Sequence, residues 1–366
     1  VADKIRILIS GGGTGGHIYP GIALAQELKK VPAEVLFVGR NRGLESRIVK
    51  EYGFFFYGIP VEGMVGRKLH QIIIAFLKLL YASVRTFLLF LRYRPRVVVG
   101  TGGYVCGPVV GVAILMGIPT VIQEQNLIPG FANRILGRWA RKIAVSFPES
   151  VDYFPRKKVV VTGNPVRRAI ITASKSEARK EMELEERFTL LVMGGSQGAY
   201  RINQAVIEAI SLMLKENYQI IFLTGKSDYP RVTQEIHRIN PVKLKIIVRP
   251  YSEDIAPVLA ASDLVVARSG AMTIAEITAR ALPAILIPFP HATHRHQEYN
   301  ARWLEKRGAA VVISEEVLSG EMLAAKVQEL ARDSLRRREM ATASGECGHP
   351  EATEAITRLV MEMSKW

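Results

Sequence analysis

Two glycine-rich turns stand about half a chain apart, and each joins a short apolar strand to a helix. The first runs Ile7-Leu8-Ile9-Ser10-Gly11-Gly12-Gly13-Thr14-Gly15-Gly16-His17, the second Leu190-Leu191-Val192-Met193-Gly194-Gly195-Ser196-Gln197-Gly198-Ala199. Glycine lets the backbone approach a ligand closely, and the helix start that follows offers unpaired N–H groups and a favourable dipole to an anion. Each turn also opens its own alternation. Strand-like runs at 5–10, 34–38, 54–58, 96–100, 119–123 and 142–146 follow the first, with a further one at 157–162. After the second come 188–193, 219–223, 244–248, 264–267, 284–287 and 309–313, with helical stretches such as 200–214 and 273–280 between them. Parallel strands need such crossovers, so the pattern predicts an α/β protein with two doubly wound, Rossmann-like sheets.

A chain of 366 residues is too long for one ordinary core and fits two domains. Gly163-Asn164-Pro165-Val166-Arg167 breaks the alternation and is followed by a charged, helical segment, 174–187. The expected division is 1–163, 164–345 and a C-terminal piece 346–366, whose helix is free to pack back on the first domain. Cys106 and Cys347 form no metal-ligand or disulfide pattern, and a strand beginning near Ile5 leaves no room for a signal peptide. Both readings point to the cytosol.

The net charge of +15 predicts anionic partners: nucleic acid, a membrane surface or phosphorylated substrates. Its placement is more telling. No Asp or Glu occurs between Gly63 and Gln123, while Arg67, Lys68, Lys78, Arg85, Arg92, Arg94 and Arg96 all lie there. The apolar run 71–92 is long enough to suggest a membrane span, but Lys78, Arg85 and Arg92 recur every seven residues and form one stripe on a helix. Charges in mid-span are costly in a bilayer. The helix is therefore expected to pack its apolar face on a sheet with the polar stripe outward. With Met64-Val65-Gly66-Arg67-Lys68-Leu69 it also reads as a basic, hydrophobic membrane-contact patch.

Ligands in open α/β sheets bind beyond the carboxyl ends of the strands, and the informative residues cluster there. Gly11, Gly13 and Gly16 formally satisfy G-x-G-x-x-G, but the second strand ends Phe37-Val38-Gly39-Arg40, without the acid a nicotinamide-binding domain uses for ribose. His17 opens a helix, where the dipole disfavours the imidazolium, and a neutral ring can take a proton from an attacking hydroxyl. Thr101-Gly102-Gly103-Tyr104 and Gln123-Glu124-Gln125-Asn126 follow neighbouring strands, and Glu124 is read as a base or as a group that orients a partner, or more plainly as a helix-cap or loop hydrogen bond. In the second half, Arg268-Ser269-Gly270-Ala271-Met272-Thr273 sets a small-residue turn before a helix whose N-terminus can hold phosphate, with Glu276 one turn on. His294 and His296 stand at i, i+2, so they do not face one another on a helix and a metal site is not expected.

The ordered set of motifs resembles the MurG family of peptidoglycan glycosyltransferases over most of the chain. It comprises Gly12–His17, Thr101–Tyr104, Glu124–Asn126, Gly163–Arg167, Gly194–Ala199, Arg268–Ala271 and His296-Gln297. The resemblance implies the GT-B fold, two Rossmann-like domains with a cleft between them. It also implies an inverting hexosyltransferase that moves N-acetylglucosamine from UDP-N-acetylglucosamine to lipid I, giving lipid II. His17 would then be the base, with Glu124 second. Thr14, Gly15, Gly16, Asn126 and Arg167 are carried over as donor-site positions. Ser196, Gln197 and Gly198 would meet the diphosphate, near a helix start at Ala271, Met272 and Thr273. Glu276 would take the ribose, the backbone at Ser252 the uracil and Gln297 the sugar hydroxyls. Tyr104, with Arg67, Lys68, Lys78, Arg85 and Arg92, would face the acceptor and an anionic membrane.

No metal or other cofactor and no nucleic acid is implied. The family's place is peripheral, on the cytoplasmic face of the plasma membrane, in cell-wall biogenesis, cell shape and division, where other cell-wall synthesis proteins are also candidate partners. The chain departs from the pattern at Gln123, where some members have histidine, and at Cys106, where a small polar residue is common.

Overall fold

The computed structural model describes residues 4–62, 69–195, 198–239 and 244–365. They form two compact units, one of Val1–Arg167 with Pro350–Trp366, the other of Arg168–His349. In the first, β1 (Ile5–Gly11), β2 (Ala33–Arg40), β3 (Phe55–Ile59), β4 (Val97–Gly102), β5 (Thr120–Glu124), β6 (Lys142–Val145) and β7 (Val159–Val161) lie parallel in the order β3-β2-β1-β4-β5-β6-β7. Helices α1 (Gly15–Leu28), α2 (Leu44–Glu51), α3 (Leu69–Tyr93) and α4 (Cys106–Leu115) join β1 through β5 in turn. In the second unit, β8 (Thr189–Met193), β9 (Gln219–Leu223), β10 (Lys245–Arg249), β11 (Leu264–Ala267), β12 (Ala284–Leu286) and β13 (Ala310–Val312) are parallel in the order β10-β9-β8-β11-β12-β13. Both sheets are doubly wound. The winding reverses between β1 and β4 and again between β8 and β11, and these are the switch points where such sheets bind ligands.

Parallel strands covered on both faces need unbroken apolar runs, and Ile7-Leu8-Ile9 beside Val97-Val98-Val99 supplies one, with every side chain fully buried. Ile7, Ile9, Val97 and Val99 meet Ile18 and Ile22 of α1, while Leu8 and Val98 meet Val109 and Val110 of α4. The C-terminal helix Ala352–Met363 adds Ile356, Leu359, Val360 and Met363 to the first of these cores.

The helix α3 departs from expectation. Among its described side chains only a narrow stripe, Ala75, Ala82, Thr86 and Phe90, is fully covered. Ile73, Ile74, Phe76, Leu77, Leu80, Val84, Phe87, Leu88 and Leu91 are all exposed, so the apolar face points outward. The charged stripe lies along the margin of the covered one, where polar groups of the unit reach it. Lys78 pairs with Glu62, and Arg85 donates twice to the Tyr57 hydroxyl, at 2.7 and 3.0 Å. Arg92 is exposed in the last turn. Among the described residues Ile73–Tyr93 is the one helix long and apolar enough to cross a membrane. It connects the edge strand β3 to β4 of one sheet, and its covered stripe extends from Ala75 to Phe90, so it lies along the unit. Arg67 and Lys68 fall outside the described residues.

Candidate active site

Because β1 and β4 flank the switch point, the loops that leave them emerge side by side. Thr101 Oγ1 donates to the His17 carbonyl at 2.6 Å, and Cys106 Sγ donates to the Ser10 carbonyl at 3.0 Å, which ties the two loops together. Gly102 has φ +105°, and a Cβ there would fall 2.7 Å from His17 Nδ1, so both backbone and packing require glycine. Thr14 is the extended residue before α1, its carbonyl accepting the His17 N–H at 3.1 Å, and Gly15 and Gly16 open the helix. His17 is half-buried, with Nδ1 3.1 Å from the Thr101 carbonyl oxygen and 3.2 Å from Gln125 Oε1. The Tyr104 ring lies against Gly13. Residues Gly13 to His17 and Gly102 to Tyr104 thus build one rim.

Glu124, the last residue of β5, is only 1% exposed. Its Oε1 accepts the Asn126 N–H at 2.9 Å and the Asn126 Nδ2 at 3.4 Å. Its Oε2 accepts the Gly130 N–H at 3.0 Å and Asn133 Nδ2 at 2.9 Å. Burial pushes this carboxyl above the ordinary carboxylate range, against the four donors that pull it back. A group enclosed in this way organises the loop 124–133 and holds Asn126. Arg167 reaches the same end of α1. It donates to the Tyr52 hydroxyl at 3.1 Å and stacks its guanidinium 5.2 Å from the centre of the Tyr19 ring.

In the second unit the glycine loop leaves β8. Ser196 and Gln197 lie outside the described residues. Gly198 has φ +78° and its N–H donates to the Gly195 carbonyl at 3.0 Å; a Cβ on it would fall 2.6 Å from the Thr224 carbonyl. Behind the loop, buried Asn203 donates to that same carbonyl at 2.8 Å and to Asp228 at 2.7 Å. Arg231 grips Asp228 with two bonds of 2.7 and 2.8 Å and holds its carboxyl below the usual range. None of these three residues was expected from the sequence. An asparagine one turn into the helix after a glycine loop was the available signal.

From β11 the chain turns through Ser269 and Gly270 into the helix Ala271–Ala279, with Ala271, Met272 and Thr273 in its first turn and a half-exposed Glu276 in the next. Ser269 Oγ donates to the Gln297 carbonyl at 2.8 Å, and Gln297 Oε1 accepts the Phe289 N–H at 3.0 Å. Arg268 forms an ion pair with Glu315 and stacks 5.3 Å from the centre of Phe289. Gln297 is therefore brought beside the Ala271 helix start. The preceding residues His294 and Arg295 both adopt φ +52°, and His296 turns Nδ1 to the Thr293 carbonyl at 2.8 Å. Burial lowers the His296 pKa from its ordinary value. Ser252, beyond β10, directs its hydroxyl to the Asp254 carbonyl.

Residues 7–145 match the glycosyltransferase family 28 N-terminal domain, and residues 189–358 match the glycosyltransferase family 28 C-terminal domain. A relative from Halothermothrix orenii is 42% identical over 370 residues, covering 99% of this chain and 100% of its own. Another, from Halalkalibacterium halodurans, is 40% identical over 364 residues, with 99% and 100% covered. Both are named UDP-N-acetylglucosamine–N-acetylmuramyl-(pentapeptide) pyrophosphoryl-undecaprenol N-acetylglucosamine transferase. Among solved structures, that of Acinetobacter baumannii MurG is 28% identical, covers 98% of this chain and 99% of its own, and superposes with a TM-score of 0.79. With paired domains matched in order and relatives aligned from end to end, the chain belongs to glycosyltransferase family 28 and, within it, to the MurG family.

Proposed function

We propose that this chain transfers N-acetylglucosamine from its UDP donor to the N-acetylmuramoyl-pentapeptide carried on undecaprenyl pyrophosphate, the step for which its relatives are named. The observation that carries the reading to a mechanism is the rim at the first switch point, where His17 is held beside Gly102 and Tyr104. The acceptor's 4-hydroxyl oxygen attacks C1 of the donor sugar while the C1–O bond to the diphosphate breaks. His17 takes the hydroxyl proton, and UDP leaves with the electron pair. Backbone N–H groups at the helix start Ala271–Thr273 and in the loop 194–198, including Ser196 and Gln197, receive the charge that develops on the diphosphate. Glu276 takes ribose hydroxyls, the backbone at Ser252 the uracil, and Gln297 the sugar. Thr14, Gly15, Gly16, Asn126 and Arg167 are the positions of the first unit that the family pattern assigns to the donor.

The reading is tested with purified protein, UDP-N-acetylglucosamine and a short-chain lipid I analogue. Formation of the disaccharide product is expected, and no transfer under conditions that support a relative would overturn it. Glu276→Ala is expected to weaken donor binding by about 10- to 100-fold, the loss of a charge-assisted hydrogen bond. Titration calorimetry with UDP-N-acetylglucosamine measures this, and an unchanged affinity would remove Glu276 from the ribose site.

The outward face of α3 supports peripheral binding to the cytoplasmic face of the plasma membrane, where a lipid-linked acceptor resides. Monomeric proteins rarely expose so long an unbroken apolar surface. A helix fastened along the unit by Ala75, Ala82, Thr86 and Phe90, with Lys78, Arg85 and Arg92 to one side, is built to lie in an interface rather than to span it.

A further inference from the structure

A buried chain of amides runs from His17 to the segment that closes the first unit. Its direction can be worked out from backbone groups. Asn164 Nδ2 donates to the Gln125 carbonyl at 3.1 Å, and because a carbonyl oxygen only accepts, the Asn164 amide can face only one way. Its Oδ1 then accepts from Ser146 Oγ at 2.6 Å and from Gln123 Nε2 at 2.8 Å. Gln123 consequently presents Oε1 on its other side, where Gln125 Nε2 donates to it. Gln125 Nε2 also donates to the Thr101 carbonyl, a second backbone anchor. What Gln125 turns to His17 is therefore its Oε1, beside the carbonyl oxygen of Thr101. Two oxygens that can only accept face one ring nitrogen.

We infer that Gln125, oriented through Gln123 and Asn164, holds neutral His17 with its proton on Nδ1 and its lone pair on Nε2. The inference rests on the proposal that His17 is the base. The two ring nitrogens are not equivalent, and with the proton on Nε2 the outer nitrogen would meet the acceptor hydroxyl as a donor and could not remove its proton. Gln123, Gln125 and Asn164 are 1%, 1% and 5% exposed, so water offers them no replacement partners. They act as positioning residues, through His17. Gln123 needs to do two things: accept from Gln125 and donate to Asn164. A neutral histidine ring has one acceptor and one donor nitrogen and meets both demands, whereas leucine meets neither.

The test reads the tautomer directly by long-range hydrogen–nitrogen NMR correlation of the histidine rings in the intact, substrate-free protein, with His17→Gln identifying the signal. Wild type is expected to show Nδ1 protonated and Nε2 unprotonated; the reverse pattern overturns the inference. Gln123→Leu is expected to lower kcat about 10- to 100-fold with donor KM unchanged, while Gln123→His stays within about threefold of wild type. If Gln123→His, shown folded by its amide spectrum, is as slow as Gln123→Leu, the relay is wrong. The spectrum needs no turnover, so the tautomer and the base assignment can fail independently.

Discussion

Replacing His17 with alanine is expected to lower turnover by about 10²- to 10⁴-fold, the usual contribution of a positioned general base. Affinity for UDP-N-acetylglucosamine should change little, since the ring is placed to receive a proton and the donor's phosphates and uridine are assigned to other groups. The substitution is also structurally mild. The half-buried ring packs over Gly102, and the ties between the two loops, Thr101 Oγ1 to the His17 carbonyl and Cys106 Sγ to the Ser10 carbonyl, use backbone oxygens that alanine keeps. Steady-state kinetics with the soluble acceptor analogue, alongside donor calorimetry, separates the two effects. Near-normal turnover in a folded variant would end the base assignment. With the Glu124 carboxylate enclosed by four donors, the base would then have to be sought elsewhere.

The second large effect belongs to α3. Phe76, Leu80 and Phe87 fall along one line of its outward face and are 51%, 49% and 43% exposed. Changing all three to glutamine removes apolar surface that lipid would otherwise cover. At roughly 1 to 1.5 kcal/mol for each half-exposed side chain, vesicle binding should fall by about 10²- to 10³-fold. Because these side chains already face solvent, thermal stability and turnover of the soluble analogue should hold. Co-sedimentation with vesicles of anionic phospholipid provides the measurement, and unaltered partitioning would remove α3 from the membrane surface. Substituting Lys78, Arg85 and Arg92 should act more weakly, and in a salt-dependent way. Lys78 and Arg85 are already engaged, by Glu62 and Tyr57.

The frame of the protein was legible because each strand is a short apolar run stopped by glycine, proline or a charge. The thirteen strands among the described residues lie where such runs stand, to within about two residues at most ends. The glycine loops were legible for a related reason, since a turn that must bring strand and helix together without side chains leaves its mark locally. What escaped is what depends on register. Nothing in Gln123-Glu124-Gln125-Asn126 says that the glutamines join an amide chain while the glutamate between them is enclosed by its own loop. Asn164 meets Gln123 because β5 and β6 stand in one particular register and the chain passes β7 before it returns. The α3 expectation failed through composition. A helix apolar around most of its circumference carries no periodic signal for which side the protein covers, and three spaced cations do not by themselves mark the outer face.

The helix Ala352–Met363 has a consequence for the order in which the protein can be made. Its Ile356, Leu359, Val360 and Met363 belong to the core built on β1 and β4, whose own residues are translated hundreds of positions earlier. The segment Arg168–His349 is continuous and holds its whole sheet, so its fold draws on nothing translated after it. The earlier-made unit must wait, one flank of its core open, until the last helix emerges. In this chain the domain synthesised first is the one completed last.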